Sequence, residues 1–205
     1  MTRMGFVINL DTCLDHRGCM TACKMYRDTP MGVYHNKTVT SNDNAYPDPN
    51  VYFVSVLCQQ CSNPACMKAC KPGALVKRDD GIVVVADQAA CNACGDHACE
   101  TACPYGAIRY DERTQKTYKC DMCYERIEAG ERPRCVAGCL TGSRFYGDFD
   151  DEASIVSQIV AQFGDGAHRL KESAGTEPNT YYLLTRKRWD DDKFLYDPNW
   201  SEEGF

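Results

Sequence analysis

Fifteen cysteines in 205 residues constrain this chain more than any other feature, because they are grouped rather than scattered. Cys13, Cys19 and Cys23 form a first group, and Cys58, Cys61, Cys66 and Cys70 a second. Cys91, Cys94, Cys99 and Cys103 make a third, and Cys120, Cys123, Cys135 and Cys139 a fourth. Groups two and three share the spacing C-x2-C-x4-C-x3-C; group four stretches it to C-x2-C-x11-C-x3-C. Such an internal repeat decides the fold class before any secondary structure is read. An odd cysteine count arranged as C-x2-C pairs argues against a disulfide framework and for metal. Mean hydropathy is negative, so an apolar core is thin and bound metal must supply much of the folding free energy.

The spacing distinguishes between metals. A C-x2-C pair on a tight loop presents two thiolates to neighbouring irons of one cube, a nearby third completes a face, and the fourth points away. In two-cluster ferredoxins that fourth cysteine ligates the other cluster. Zinc is the rival, since paired C-x2-C motifs also hold it tetrahedrally. Zinc sites close locally, however, commonly on two pairs, and here every group carries further cysteines in a repeated pattern. A radical-generating site is disfavoured by the absence of a C-x3-C-x2-C triad.

A formal charge of −6 without a basic patch argues against nucleic acid as a partner. No stretch approaches the roughly 20 apolar residues of a membrane helix. The start, MTRMGFVINL, reads as neither a signal peptide nor a twin-arginine leader. The expected location is the cytoplasm, or export bound to a signal-bearing partner, peripheral to the membrane. No Ser/His/Asp arrangement or phosphate-binding glycine loop is visible, so no catalytic site is expected.

Between the groups the chain reads as small elements. Gly5–Leu10 and Val51–Leu57 read as strands leading into groups one and two. Ala74–Arg78 and Ile82–Val85, joined by Asp79-Asp80-Gly81, read as a hairpin, as do Ala107–Tyr110 with Lys116–Lys119. From Asp150 to Gln162, Ile155, Ile159 and Val160 recur at helical spacing, continued by Phe163, behind an acidic start. Residues 27–50 read as a long polar loop, and the chain from Gly175 onward as an extended tail lying along a partner.

Three stretches point to a family: Tyr118 through Cys139, Gln59 through Cys66, and Cys103-Pro104-Tyr105-Gly106-Ala107. On these, over about residues 5 to 150, the chain resembles the iron–sulfur subunit of the dimethyl sulfoxide reductase family of molybdenum enzymes. The resemblance implies an α+β fold of tandem bacterial-ferredoxin-like modules, one inserted in the other, with small hairpins and short helices. Residues 1–50 plus 108–150 would form the first half, residues 51–107 the inserted half, and residues 151–205 a helix and partner-binding tail. It implies four clusters of the [4Fe–4S] type. Cys13, His16, Cys19 and Cys139 would hold cluster A. Cys23, Cys120, Cys123 and Cys135 would hold cluster B. Cys58, Cys61, Cys66 and Cys103 would hold cluster C, and Cys70, Cys91, Cys94 and Cys99 cluster D. The implied function is relay of single electrons between a large molybdopterin catalytic subunit and a quinone-linked membrane anchor or soluble carrier. A free-standing polyferredoxin, or a subunit of a formate dehydrogenase or hydrogenase complex, is the alternative.

His16 departs from the pattern, standing where group one lacks a cysteine. It is favoured as a neutral fourth ligand that raises the cluster potential, as histidine does in Rieske centres. A [3Fe–4S] cluster with an empty corner, Asp15 as an oxygen ligand, and a solvent-facing histidine are the other readings. His97 is expected in solvent, and His35 and His168 at the surface. Lys119, Arg126 and Arg144 near group four can serve cluster sulfurs or anionic partner groups, although surface ion pairs are the commoner fate of such residues.

Overall fold

Pairing between strands far apart in sequence organises the chain. The computed structural model describes residues 2–41 and 46–190. The elements in order are β1 (Met4–Asn9), α1 (Gly18–Arg27), β2 (Asn36–Thr40), β3 (Phe53–Leu57), α2 (Ala65–Ala69), β4 (Leu75–Lys77) and β5 (Val83–Val85). There follow α3 (Gln88–Ala93), α4 (Ala98–Ala102), β6 (Ile108–Asp111), β7 (Lys116–Lys119), α5 (Tyr124–Glu128) and α6 (Arg134–Ala137). The last are β8 (Arg144–Asp148), α7 (Ile155–Phe163), β9 (Ala167–Arg169) and β10 (Thr180–Leu183).

One four-stranded sheet runs β8-β1-β10-β9, and the three remaining pairs are β2-β3, β4-β5 and β6-β7. In the large sheet β1 lies antiparallel to β8 and parallel to β10, with Phe6 opposite Thr180 and Ile8 opposite Tyr182. The period of two sorts its side chains. Val7 and Leu183 pack against Val156, Ile159, Val160 and Phe163 of α7. Phe6, Ile8 and Tyr182 face the other way, into a core that includes Cys19, Cys58, Cys61, Cys120 and Cys135. The apolar stripe read for residues 150–162 is therefore α7, and it closes the sheet's outer face. The two hairpins expected at 74–85 and 107–119 are present as β4-β5 and β6-β7.

Two expectations need correction. The polar segment 27–50 is not all loop: Asn36–Thr40 pairs in register with Phe53–Leu57. It hides as a strand because its inward residues, Asn36 and Thr38, are polar yet buried. Nor is the segment after Gly175 a free tail, since β10 is an inner strand of the large sheet and Thr180 is wholly buried. The stretch 191–205 of the expected partner-binding tail lies outside the described residues.

Helices α1 to α6 run four to ten residues, too short to stand alone in water. They pack in pairs that bring groups together: α1 against α6, and α2 against α4. The first contact requires glycine on both sides. A β-carbon on Gly18 would stand 2.7 Å from the Gly138 carbonyl, and one on Gly138 would stand 2.6 Å from the Ala22 methyl.

Candidate metal centres

Every cysteine loop turns through a left-handed residue that is not glycine. Asp15 and Arg17 do so in group one, Gln60 in group two, His97 in group three, and Met122 and Cys123 in group four. Such turns aim successive main-chain N–H groups inward, the arrangement that suits an anionic centre. Two main-chain donors reach sulfur: Met122 N–H donates to Cys120 Sγ and Ala107 N–H to Cys103 Sγ, each at 3.4 Å.

All fifteen cysteines are free, and each is buried or half-buried. They gather in four neighbourhoods. Burial first, then neighbouring thiols, push most of them above the ordinary thiol value of 9.0. Cys61 and Cys66 rise to about 12 beside Cys58 and Cys103. Cys23 rises to about 12 beside Cys135 and Cys123, and wholly buried Cys120 rises with Cys58, Cys23 and Cys135 around it. Cys99 rises to about 11 with Cys70 and Cys91 close by, and Cys91 rises with Cys70 and Cys94 near it. Cys13 rises beside Cys19 and Cys139. Thiols so crowded and buried ionise together only when a cationic centre compensates them, and metal ligation requires the thiolate. The donor set therefore fits iron–sulfur clusters.

The neighbourhoods adjoin in a row. Cys135 also feels Cys19 of the first. Cys120 of the second feels Cys58 of the third. Cys66 and Cys103 share an apolar cluster with Cys70 and Cys99 of the fourth. Among the described residues, no group of three or more His, Cys, Asp and Glu side chains is placed to hold a single metal ion. A mononuclear zinc site needs that convergence; a cube spreads its thiolates over separate irons.

Polar residues lace the loops together. Gln60, fully buried in the C-x2-C of group two, donates to the Cys120 carbonyl at 2.9 Å and accepts from Val83 N–H at 2.9 Å. Gln59 beside it donates to the Leu57 carbonyl and the Tyr182 hydroxyl. Their signal in the sequence was a pair of amides between two cysteines, where a solvated loop has no need of them. Lys119 is buried between groups two and four, with Nζ donating to the carbonyls of Val83 (2.5 Å) and Cys120 (2.8 Å). Burial opposes its charge, but Cys58 and Cys120 outweigh that and hold it protonated. Arg144 is also buried rather than salt-bridged at the surface. Arg126 does take the commoner fate, pairing with Glu131 at 2.7 Å.

His16 borders a cavity together with Cys13, Asp15, Cys19, Cys139 and Arg144. Its Nδ1 lies 3.0 Å from the Gly18 N–H and its Nε2 3.1 Å from the Leu140 N–H. A neutral imidazole offers one lone pair, so only one of these contacts can be a hydrogen bond. A metal taken by either nitrogen would require the ring to turn. Burial pushes the Cys139 thiol up, but hydrogen bonds from Thr141, His16 and the Ser143 backbone, with the Arg144 charge, bring it below its usual value. Asp15 Oδ1 is buried without a partner in the same cavity.

The other histidines are not where the sequence put them. His35 is 9 % exposed, and burial pushes it down to about 4, so it stays neutral. His97 caps α4 and stacks on Tyr110 at 3.7 Å. His168 stacks on Trp189 at 4.9 Å.

Paired cysteine loops, short helices and small hairpins around a shared core define a ferredoxin-like 4Fe–4S protein. A model for a 4Fe–4S dicluster domain matches residues 49–149. The chain is 37 % identical to an iron–sulfur relative from anaerobic dimethyl sulfoxide reductase of Escherichia coli, over 91 % of this chain and 98 % of that one. It is 35 % identical to a tetrathionate reductase subunit of Salmonella typhimurium, over 88 % and 72 % of the two chains. It is 31 % identical to a sulfite dehydrogenase subunit of Allochromatium vinosum, over 91 % and 85 %. The chain is a member of this family of iron–sulfur electron-transfer subunits of dimethyl sulfoxide reductase and related molybdopterin enzymes. The similarity extends past residues 5–150, in keeping with a C-terminal strand built into the main sheet. No helix among the described residues is long and apolar enough to cross a membrane.

Proposed function

We propose that this chain holds four clusters in a row and relays single electrons between a molybdopterin catalytic subunit and a second redox partner, a quinone-linked membrane anchor or a soluble carrier. The observation that carries this reading is the interleaving of the groups. The cysteines of groups one and four mix in two adjoining neighbourhoods, and those of groups two and three in two more. Three ligands of one group and the last cysteine of its partner then make each set, with Cys139, Cys23, Cys103 and Cys70 as the exchanged ligands. The helix pairings α1–α6 and α2–α4 support two ferredoxin-like halves, one inserted in the other.

Each cluster, when bound, supplies a one-electron redox couple. The chain's own residues keep those couples apart, bury them, and set their potentials through N–H donors and charge. His16 completes the set of Cys13, Cys19 and Cys139 as a neutral ligand, its ring turned from the orientation in which both nitrogens face N–H groups. The relatives are named for dimethyl sulfoxide, tetrathionate and sulfite while resembling this chain to a similar degree. The substrate is therefore a property of the catalytic partner.

Iron and sulfide analysis of the anaerobically purified full-length chain tests this. Four cubes require about sixteen irons. About fifteen irons with the oxidised-state EPR signal of a three-iron cluster would mean that His16 leaves its corner open. Zinc without iron would overturn the reading.

A further inference from the structure

Arg144 has a charge and two donor nitrogens that nothing in the protein accounts for. It is the first residue of β8, only 4 % exposed, and one of the residues lining the cavity with Cys13, His16, Cys19 and Cys139. Its Nη2 donates to Ser55 Oγ at 2.7 Å and to Asn36 Oδ1 at 3.4 Å, which fixes the plane of the guanidinium. Nε and Nη1 are buried and have no acceptor. The charged groups that bear on it are the thiols of Cys135, Cys19 and Cys139 and the phenol of Tyr182; no carboxylate is among them. A buried guanidinium left without an anion and with orphan N–H groups costs several kcal/mol, so a fold that keeps one needs an acceptor there. The acceptor must be anionic, must tolerate a planar donor, and must sit among those cysteines.

We propose that Arg144 is the counter-charge of the cluster bound by Cys13, His16, Cys19 and Cys139, donating through Nε and Nη1 to its sulfur and raising its reduction potential. This rests on the four-cluster reading above. It makes Arg144 a positioning and tuning residue, not a ligand. Hydrogen bonds and positive charge at cluster sulfur favour the more negative, reduced state. Neutral His16 in place of a thiolate acts in the same sense. Two independent devices then act on one end of the row, and Asn36 and Ser55 of the β2-β3 pair aim the second of them. That gives the polar inward face of β2 its purpose.

The test is an anaerobic EPR redox titration of the full-length, iron-loaded protein carrying Arg144→Met. The expected result is unchanged iron content, a downward shift of the highest-potential centre, and no shift of the other three. Arg144→Lys, which keeps the charge but loses the fixed fork, should shift the same centre less. An unchanged highest-potential centre, or an equal shift of all four, would overturn the proposal. Should the Met variant fail to load iron, guanidino-15N-labelled arginine in the wild-type protein serves instead. Weak 15N coupling to the reduced highest-potential centre supports the contact, and its absence overturns it. A wild-type protein that binds no iron would instead strike down the four-cluster reading.

Discussion

The two ends of the row are built from the same motif and surrounded by opposite charge. At the end formed by Cys13, His16, Cys19 and Cys139, one ligand position is neutral and a buried guanidinium faces the thiols. At the other, Cys70, Cys91, Cys94 and Cys99 supply four thiols and the nearby charges are mostly acidic. Glu100 raises Cys99, Asp87 raises Cys91, and Asp96 accepts a hydrogen bond from Cys94 at 3.3 Å. The cation there is Lys71, exposed and paired with Asp96. Spacing fixes the kind of cofactor, and the surroundings fix its potential. The His16 end should hold the highest-potential centre of the row and the Cys91 end a low one.

The comparison breaks most completely if the clusters are removed. Both ends depend on ligation for their fold, so stripping iron with a chelator under reducing conditions should abolish the cooperative thermal transition seen by circular dichroism. His16→Cys comes next. Restoring a thiolate should lower the potential of the Cys13 centre and leave the Cys91 centre in place, as read by EPR titration. Asp15→Asn should leave both centres unmoved; an altered Cys13 centre in that variant would make Asp15 the ligand instead.

Alkaline pH sharpens the contrast between loaded and metal-free chain. Cys23, Cys61 and Cys66 are held near 12 when folded without metal, against the ordinary thiol value of 9.0. Above pH 9 the unfolded chain releases protons that the folded one retains. Whatever stability the metal-free fold has is thus present below pH 9 and lost as pH rises toward 12. Limited proteolysis across that range should show the metal-free chain opening while the loaded protein, its thiolates already on iron, does not. The smallest effect belongs to Asp96→Asn. It removes an exposed charge that solvent and salt screen, so the Cys91 centre should rise slightly, and less so at high ionic strength.

Much of this was legible in the sequence where the determinants are local. The cysteine spacing, the turn at Asp79-Asp80-Gly81 and the stripe of Ile155, Ile159 and Val160 each act within a few residues. What escaped depends on partners far along the chain. Thr180–Leu183 becomes a strand because β1, more than 170 residues earlier, offers it an edge. Asn36–Thr40 becomes one because β3 pairs with it and Arg144 needs its polar inward face. His35 carries no mark of burial, and nothing beside Arg144 in the sequence says that its charge would be sealed in without a carboxylate. The ligand groups were readable one by one; which cysteine crosses to which neighbour comes from helix packing and, in the family, from resemblance.

That crossing is the central claim, and single-ligand replacement tests it most directly. Cys23→Ser, Cys13→Ser and Cys120→Ser should each be followed by low-temperature EPR on the anaerobic, fully reduced full-length protein. Interleaving requires that Cys23→Ser disturb the same centre as Cys120→Ser and spare the one disturbed by Cys13→Ser. If Cys23→Ser instead disturbs the Cys13 centre, each group closes on its own cluster, and the row of interleaved sets is wrong.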